Sequence, residues 1–338
     1  MPLIKTVVTA SLKRCPFVVR HLLLGAIAFN SQYVFAELNW ISASWDNDVF
    51  ANKDGGGYTN GIYFSWRQRN EPGEEITKPP LLTLPLAWMV SDEPTYAYKM
   101  HSIGQAMVTP EDITKEVPDP ADAPYAGLLY LRSSYVAVQD DFADHVATLV
   151  GIVGPSSGAE EVQKFVHRVV DAEQPKGWDY QLDDEFVWQL QRTAVWRFST
   201  EDSSPFDAVL LADLAVGNLE SHAGAGLFLR VGNDLARSYS TMSFLSSRIS
   251  TPVAASEGWY FYLGGTGNYV HNQILIDGNE FGKTASEGLE HYQYSLMAGF
   301  TYSWQRASIG LSYQSDTEPN KSQTARKNFG AITLAWQI

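Results

Sequence analysis

WDNDVF at residues 45–50 and YTNGIYFSW at residues 58–66 lie on either side of a short Gly-rich stretch. Apolar and polar residues alternate in both runs, which is typical of β-strands with one apolar face. A Gly-rich connection between two such runs predicts a β-hairpin. The hairpin would bring Asn47, Asp48 and Thr59 to one rim of a sheet. Their side-chain oxygen atoms are of the type that a divalent cation such as calcium takes as ligands.

The same alternation recurs along the chain, about ten residues at a time. We predict twelve strands, near 38–49, 58–70, 98–108, 125–138, 143–152, 186–200, 207–218, 224–233, 258–270, 291–304, 306–317 and 326–338. An even number of amphipathic strands with aromatic residues near their ends indicates an all-β fold, a transmembrane antiparallel up-and-down β-barrel. A soluble β-sandwich is the alternative. The many Trp and Tyr residues and the scarcity of cysteine favour the barrel.

The first 36 residues differ in kind from the rest. They contain four basic residues and no acidic one, an apolar core at 22–29, and small residues before a cleavage point after Ala36. This pattern predicts a secretory signal peptide at 1–36, since the apolar run is too short to span a membrane. Its removal takes away four positive charges, which changes the formal net charge from −14 to −18, and with them the single cysteine, Cys15. The barrel would then occupy 37–338.

The charge and cysteine content restrict the partners and the source of stability. A strongly acidic chain without basic clusters argues against nucleic acid as a partner. Acidic loops would instead attract cations, including those that bridge lipopolysaccharide molecules. Without cysteine the exported chain cannot rely on disulfides, so a large hydrogen-bonded framework must hold it together.

Successive strands of the predicted barrel run in opposite directions, so alternate connections lie at opposite rims. Those near 50–57, 109–124, 153–185, 219–223, 271–290 and 318–325 share the outer rim, which we expect to face the cell exterior. Two connections at the opposite rim, 71–97 and 234–257, are longer than ordinary turns. The first contains several prolines and is expected to lie on the surface, with no role assigned.

One outer loop is predicted to be helical, over 157–170, with its apolar residues on one stripe. Ser157 followed by Glu160 fits a capping box. Gln163 and His167 are four residues apart and therefore share a helix face. Glu173 lies further on and would meet His167 only where the helix has already unwound.

These residues suggest a hydrolytic site. A cation held by Asn47 and Asp48 could polarise an ester carbonyl, and His167 could take a proton from the attacking water. Glu173 could orient the imidazole. The simpler interpretation is that Asn47 and Asp48 end a strand and that His167 is a polar loop residue.

Six segments in order along the chain resemble the outer-membrane lipid A 3′-O-deacylase family (LpxR): WDNDVF, YTNGIYFSW, APYAG at 123–127, GIVGP at 151–155, the helix from Glu161 to Arg168, and KGWD at 176–179. The resemblance implies a twelve-stranded barrel that removes the 3′-linked acyloxyacyl group of lipid A with calcium and a histidine-activated water. The long segments 71–97 and 234–257 depart from a minimal barrel.

The roles of the family's site residues can be assigned to the matching motif positions of this chain. The resemblance then implies that Asn47, Asp48 and Thr59 belong to the metal and oxyanion region. His167 would be the general base and Glu173 its supporting carboxylate. Gln163 lies within the matched helix and is assigned only a supporting role. The cation would be calcium rather than magnesium, because flexible all-oxygen ligation favours calcium.

Three functions compete at this point. The leading one is a metal-dependent ester hydrolase of the outer membrane, monomeric, acting on lipid A among the outer-leaflet lipids. The second is a serine-type phospholipase that uses Ser133, Ser134 or Ser156 with a histidine. The third is a porin or adhesin whose outer loops bind external ligands. The barrel is common to all three, so the fold alone does not decide.

Overall fold

Long strands make up most of the described chain. The computed structural model describes residues 40–47, 57–69, 76–91, 93–119, 122–241, 243–245, 248–250, 257–279, 288–317, 319 and 326–338. The strands are β1 (Trp40–Asn47), β2 (Gly57–Arg69), β3 (Tyr96–Thr109), β4 (Ala126–Gln139), β5 (Phe142–Val153), β6 (Glu185–Phe198), β7 (Phe206–Gly217), β8 (Glu220–Gly232), β9 (Ser243–Leu245), β10 (Arg248–Ser250), β11 (Gly258–Gln273), β12 (Tyr292–Trp304), β13 (Ala307–Asp316) and β14 (Lys327–Gln337).

Helical segments are short and lie between the strands. The α-helices are α1 (Ala159–Val169), α2 (Leu235–Ser238) and α3 (Ile274–Asp277). The 3₁₀ helices are Leu81–Met89, Pro155–Ser157, Trp178–Tyr180 and Tyr239–Thr241. Among the residues described, no helix is both long and apolar enough to cross a membrane.

Twelve of the strands form a closed antiparallel barrel. The order is β1 to β8, then β11 to β14, and β14 pairs with β1, with Trp40 opposite Gln337. This confirms the all-β, twelve-stranded prediction and excludes the sandwich. The remaining strands, β9 and β10, form a separate two-stranded sheet that the alternation pattern did not predict. The predicted signal peptide lies outside the described residues.

The two faces of the barrel have the composition of a membrane barrel. Large apolar side chains are exposed on the outward face, among them Phe64, Phe186, Leu214, Leu229, Leu263, Leu296 and Leu334. The inward face carries polar side chains that are almost fully buried, among them Arg132, Gln191, Thr193, Asp213, His222 and Arg230. An outward apolar band around a polar interior is the pattern expected of an outer-membrane barrel.

The barrel interior contains a continuous polar network. His222 Nε2 lies 2.6 Å from Asp213 Oδ2, and His222 Nδ1 lies 2.6 Å from Glu220 Oε1. Asp213 also accepts hydrogen bonds from Thr193 and Gln191. Carboxylate oxygens therefore face both ring nitrogens of this buried imidazole. These side chains fill the lumen between β6, β7 and β8.

The two long connections have different positions. The Leu81–Met89 segment packs on the outside of the barrel, where Leu86 contributes to a buried cluster with Tyr135 and Val146. Thr148 Oγ1 donates a hydrogen bond to the carbonyl of Leu82 at 2.7 Å. The expected surface-lying segment is therefore confirmed.

The described start of the second connection, 234–257, packs inside the barrel at the rim where β8 ends. Arg230 donates to both oxygens of Asp207 and to the carbonyl of Leu235, which is the first residue of α2. Leu235 and Tyr239 are buried in the interior apolar cluster. Residues 235–239 therefore fill the interior near the rim opposite to the one at which α1 is attached.

Candidate site between the barrel wall and helix α1

Helix α1 lies against the outward face of the barrel wall. Gly127 of β4 shares its strand face with Tyr135, which contacts the outer Leu81–Met89 segment. A Cβ atom at Gly127 would stand 2.1 Å from Ser157 Oγ and 2.4 Å from Ala159 Cβ. Only glycine allows so close an approach. Gln105 of β3 donates to the carbonyl of Ser157 at 2.7 Å and holds the start of the helix in place.

A small apolar cluster holds the helix to the wall. It contains Met107, Tyr125, Ala159 and Trp178, all buried. The rings of Tyr125 and Trp178 are 4.9 Å apart between centroids. Burial raises the pKa of Tyr125 to about 12, so its phenol stays neutral, and its hydroxyl donates to the carbonyl of Ile113 at 3.3 Å.

Gln163 points toward the wall and is buried. Trp178 Nε1 donates to Gln163 Oε1 at 2.7 Å, and the residue is 3% exposed. Its Nε2 atom has no hydrogen-bond partner within the described part of the chain. A buried amide donor of this kind costs free energy unless something else accepts its hydrogen bond. It is available to an oxygen atom that enters the space between helix and wall.

His167 sits where the helix ends. Asp171 adopts a left-handed conformation with φ 55°, and Ala172 N donates to the carbonyl of His167 at 2.8 Å. The chain then turns back, so that the Glu173 carbonyl oxygen lies 2.5 Å from His167 Nδ1. A carbonyl only accepts, so Nδ1 carries the proton, and in the neutral ring Nε2 keeps its lone pair.

The unwinding on which the Glu173 prediction depended is therefore present. The contact, however, runs through the main-chain carbonyl, and the side chain of Glu173 is exposed. The capping-box prediction is wrong. Ser157 belongs to a 3₁₀ turn, and Gly158, at φ 71°, is the N-cap residue of α1 without a side-chain cap.

The hairpin ends at the same rim as α1. Asn47 is the last residue of β1, and its cross-strand partner in β2 is Asn60. Thr59 is the extra residue of a β-bulge against β3, a feature that re-aims side chains and is common next to active sites. Asp48, the side chain of Thr59 and any contact between them lie outside the described residues.

One row of cross-strand residue pairs runs from the hairpin to Gly127, the seat on which α1 packs. Asn47 pairs with Asn60, Asn60 with Met107, and Met107 with Gly127. Directly paired residues share a face, and neighbouring strands are about 4.8 Å apart. Asn60 is therefore about 10 Å from the strand that seats the helix. The end of the hairpin and the seat of α1 therefore lie on one outward face of the barrel wall. The space between this face and the helix is called the crevice below.

Amide groups rather than a dense cluster of charged groups line the described part of this crevice. No group of three His, Cys, Asp or Glu that could hold a metal occurs in the part of the chain that the structure describes. Asn60 is 8% exposed, and its Oδ1 has no partner among the described groups. A buried amide oxygen beside Asn47 fits a hard, oxygen-liganded cation such as calcium.

The serines proposed for a serine-type enzyme are engaged elsewhere. Ser133 Oγ is 3.0 Å from His101 Nδ1, but Ser133 is 0% exposed. Ser134 Oγ donates to the carbonyl of Met100, and Ser156 Oγ donates to Asp184 at 2.6 Å. Ser133 and Ser134 are buried, and the side-chain partner of Ser156 is a carboxylate rather than a histidine.

The barrel with an apolar exterior, a polar interior and a histidine-bearing helix on its wall defines the chain as an outer-membrane barrel protein. The chain belongs to the LpxR family: residues 17–338 match the family described as outer membrane protein LpxR. Sequence comparison with curated proteins gave no match.

One solved structure has the same barrel fold. LpxR from Salmonella typhimurium superposes with a TM-score of 0.72 at 16% identity, covering 88% of this chain and 100% of that one. The β domain of the Bordetella autotransporter BrkA gives a TM-score of 0.44 at 11% identity, covering 89% of this chain and 100% of that one.

Proposed function

We propose that the protein is a lipid A deacylase that hydrolyses the 3′-linked acyloxyacyl ester in the outer leaflet. The observation that carries this proposal is the position of His167. Its imidazole is fixed by the Glu173 carbonyl with Nε2 left as an acceptor, and its helix lies on the outward wall. A lipid in the membrane reaches such a crevice from the side, without entering the barrel.

His167 would act as the general base. Nε2 would take a proton from the water that attacks the ester carbonyl, which typically contributes about 10²–10⁴ to the rate. The Glu173 carbonyl holds the ring in the required tautomer. We assign the Glu173 carboxylate a supporting role toward the imidazolium that forms after proton transfer.

Asn47, Asp48 and Asn60 would hold a calcium ion, with Thr59 beside them. A cation bound there polarises an ester carbonyl and favours negative charge on its oxygen. The unpartnered Nε2 of Gln163 would donate a hydrogen bond to a substrate oxygen. Two buried atoms without a partner among the described residues, the acceptor Asn60 Oδ1 and the donor Gln163 Nε2, support the binding of a polar ligand in the crevice.

The porin alternative is less well supported. An open pore needs a water-filled lumen, whereas side chains such as His222, Arg230 and Tyr260 fill this interior and are at most 3% exposed. Planar bilayers containing the purified barrel should show no stepwise conductance. Steady channel openings would restore the porin alternative.

The proposed reaction is tested on cells. The protein is expressed in a Gram-negative host that lacks this activity. Lipid A is then extracted, and its mass is measured by mass spectrometry. We expect loss of the 3′-linked acyloxyacyl group, with the fatty acids released together. An unchanged lipid A mass, with folded protein in the outer membrane, would contradict the proposal.

A further inference from the structure

Helix α1 has three distinct faces: one toward the barrel wall, and two flanks. Ala159 and Gln163 face the barrel wall and are buried. At 100° per residue, Phe165 and Val169 project from one flank of the helix, and Lys164 and Arg168 from the other. Phe165 is 60% exposed and Val169 is 68% exposed, so the apolar flank is not covered by the protein.

The outward surface near this height is apolar elsewhere around the barrel. Gly127, which seats the helix, is the second residue of β4 from this rim. Phe186 is the second residue of β6 from the same rim and is 63% exposed, and Tyr292, the first residue of β12, is 61% exposed. The aromatic band that faces lipid therefore reaches the level at which α1 is attached.

A helix with one apolar and one charged flank, attached at the level of this band, has the pattern of an interfacial helix. On the charged flank Lys164 pairs with Glu160. We propose that the apolar flank of α1, Phe165 and Val169, contacts the acyl chains of the outer-leaflet lipids, so that α1 lies embedded in the membrane interface. The polar flank, with Arg168, faces the headgroups and water. The surface is continuous with the lipid-facing band of the barrel, which identifies its occupant as lipid.

The embedding has a consequence for the site, and this part rests on the proposed function. His167 is on the polar side of α1, next to the edge that faces the wall. A helix held at the boundary between acyl chains and headgroups keeps His167 at the depth of lipid ester bonds. The fatty ester would then meet the imidazole without leaving the membrane.

Spin labels measure the depth directly. Single cysteines are introduced as Val169→Cys and, as the matched control one residue away, Arg168→Cys, each in a Cys15→Ser background. The labelled barrels are reconstituted in vesicles of phospholipid and lipopolysaccharide. Collision rates with oxygen, which partitions into lipid, and with a water-soluble nickel chelate are compared.

We expect the label at position 169 to collide at least several-fold more with oxygen than with the nickel chelate, and the label at 168 to show the reverse. Equal, water-like accessibility at both positions would overturn the inference. This measurement does not require catalysis. A wild-type protein that embeds α1 but leaves lipid A intact would contradict the proposed function alone.

Discussion

His167 Nδ1 lies 2.5 Å from the backbone carbonyl oxygen of Glu173, six residues further along the chain. An uninterrupted helix would have placed these residues on different faces, about 240° apart. The left-handed residue Asp171 turns the chain back and makes the contact. A main-chain group thus fixes the tautomer of the proposed base, whichever side chain stands at 173.

This relationship predicts opposite effects of two substitutions at Asp171. Asp171→Gly should retain activity, because glycine adopts a positive φ without strain. Asp171→Val should lower the rate of deacylation about tenfold or more, because a left-handed conformation costs an L-residue with a branched Cβ roughly 1–2 kcal/mol or more. Initial rates on purified lipid A check both. Equal rates for the two variants would show that the turn does not position His167.

Gly127→Val should displace α1 while leaving the barrel closed. The new side chain would collide with Ser157 and Ala159, where a Cβ alone would already be 2.1 Å from Ser157 Oγ. We expect a loss of activity of at least about a hundredfold, since the proposed base is carried by α1. Circular dichroism should still show the barrel.

The matched control for this variant is Gly267→Val in β11, where an added Cβ meets only the flexible ring of Tyr294 at 3.3 Å. It should retain most of the wild-type rate. Full activity of Gly127→Val would contradict the proposal that close packing of α1 on Gly127 positions His167.

Trp178→Phe should loosen α1. The substitution removes the Nε1 donor to Gln163 Oε1 and leaves a buried amide oxygen unsatisfied, which typically costs about 1–3 kcal/mol. Hydrogen exchange of the α1 amides should become faster by roughly ten- to a hundredfold. Trp188→Phe, at a partly exposed Trp in β6, should leave that exchange unchanged. Unaltered protection of α1 in Trp178→Phe would contradict the proposed anchoring role.

Metal removal should stop the reaction. Chelation of divalent cations should abolish deacylation, and added calcium should restore it in the wild-type protein. Asp48→Ala should lower activity and should not be rescued by more calcium, because a carboxylate ligand is missing. Mass spectrometry of lipid A after each treatment gives the result. Normal turnover in Asp48→Ala, or in excess chelator, would contradict the metal proposal.

The strands were predictable because their side chains alternate between lipid and an interior with opposite chemistry. All twelve barrel strands occur where the alternation places them, with ends displaced by a few residues. The largest displacement is at β8, which begins at Glu220 rather than 224. There Glu220 and His222 interrupt the apolar pattern, because they are paired inside the barrel.

Less of the candidate site could be predicted. Spacing placed Gln163 and His167 on one face and required the chain to unwind before Glu173. It did not show that Glu173 contributes its carbonyl, since main-chain contacts leave no mark in residue identity. Nor did it show that α1 lies outside the barrel. That position depends on the absence of a side chain at Gly127, which is only meaningful once its neighbours in space are known.

The mass spectrum of lipid A from cells that express His167→Ala, beside cells that express the wild-type protein, tests the central claim most directly. Wild-type cells should lose the 3′-linked acyloxyacyl group. His167→Ala cells should keep it, although the variant reaches the outer membrane in equal amount and remains folded. Lipid A that is deacylated to the same extent in both would contradict the role of His167 and, with it, the proposed mechanism.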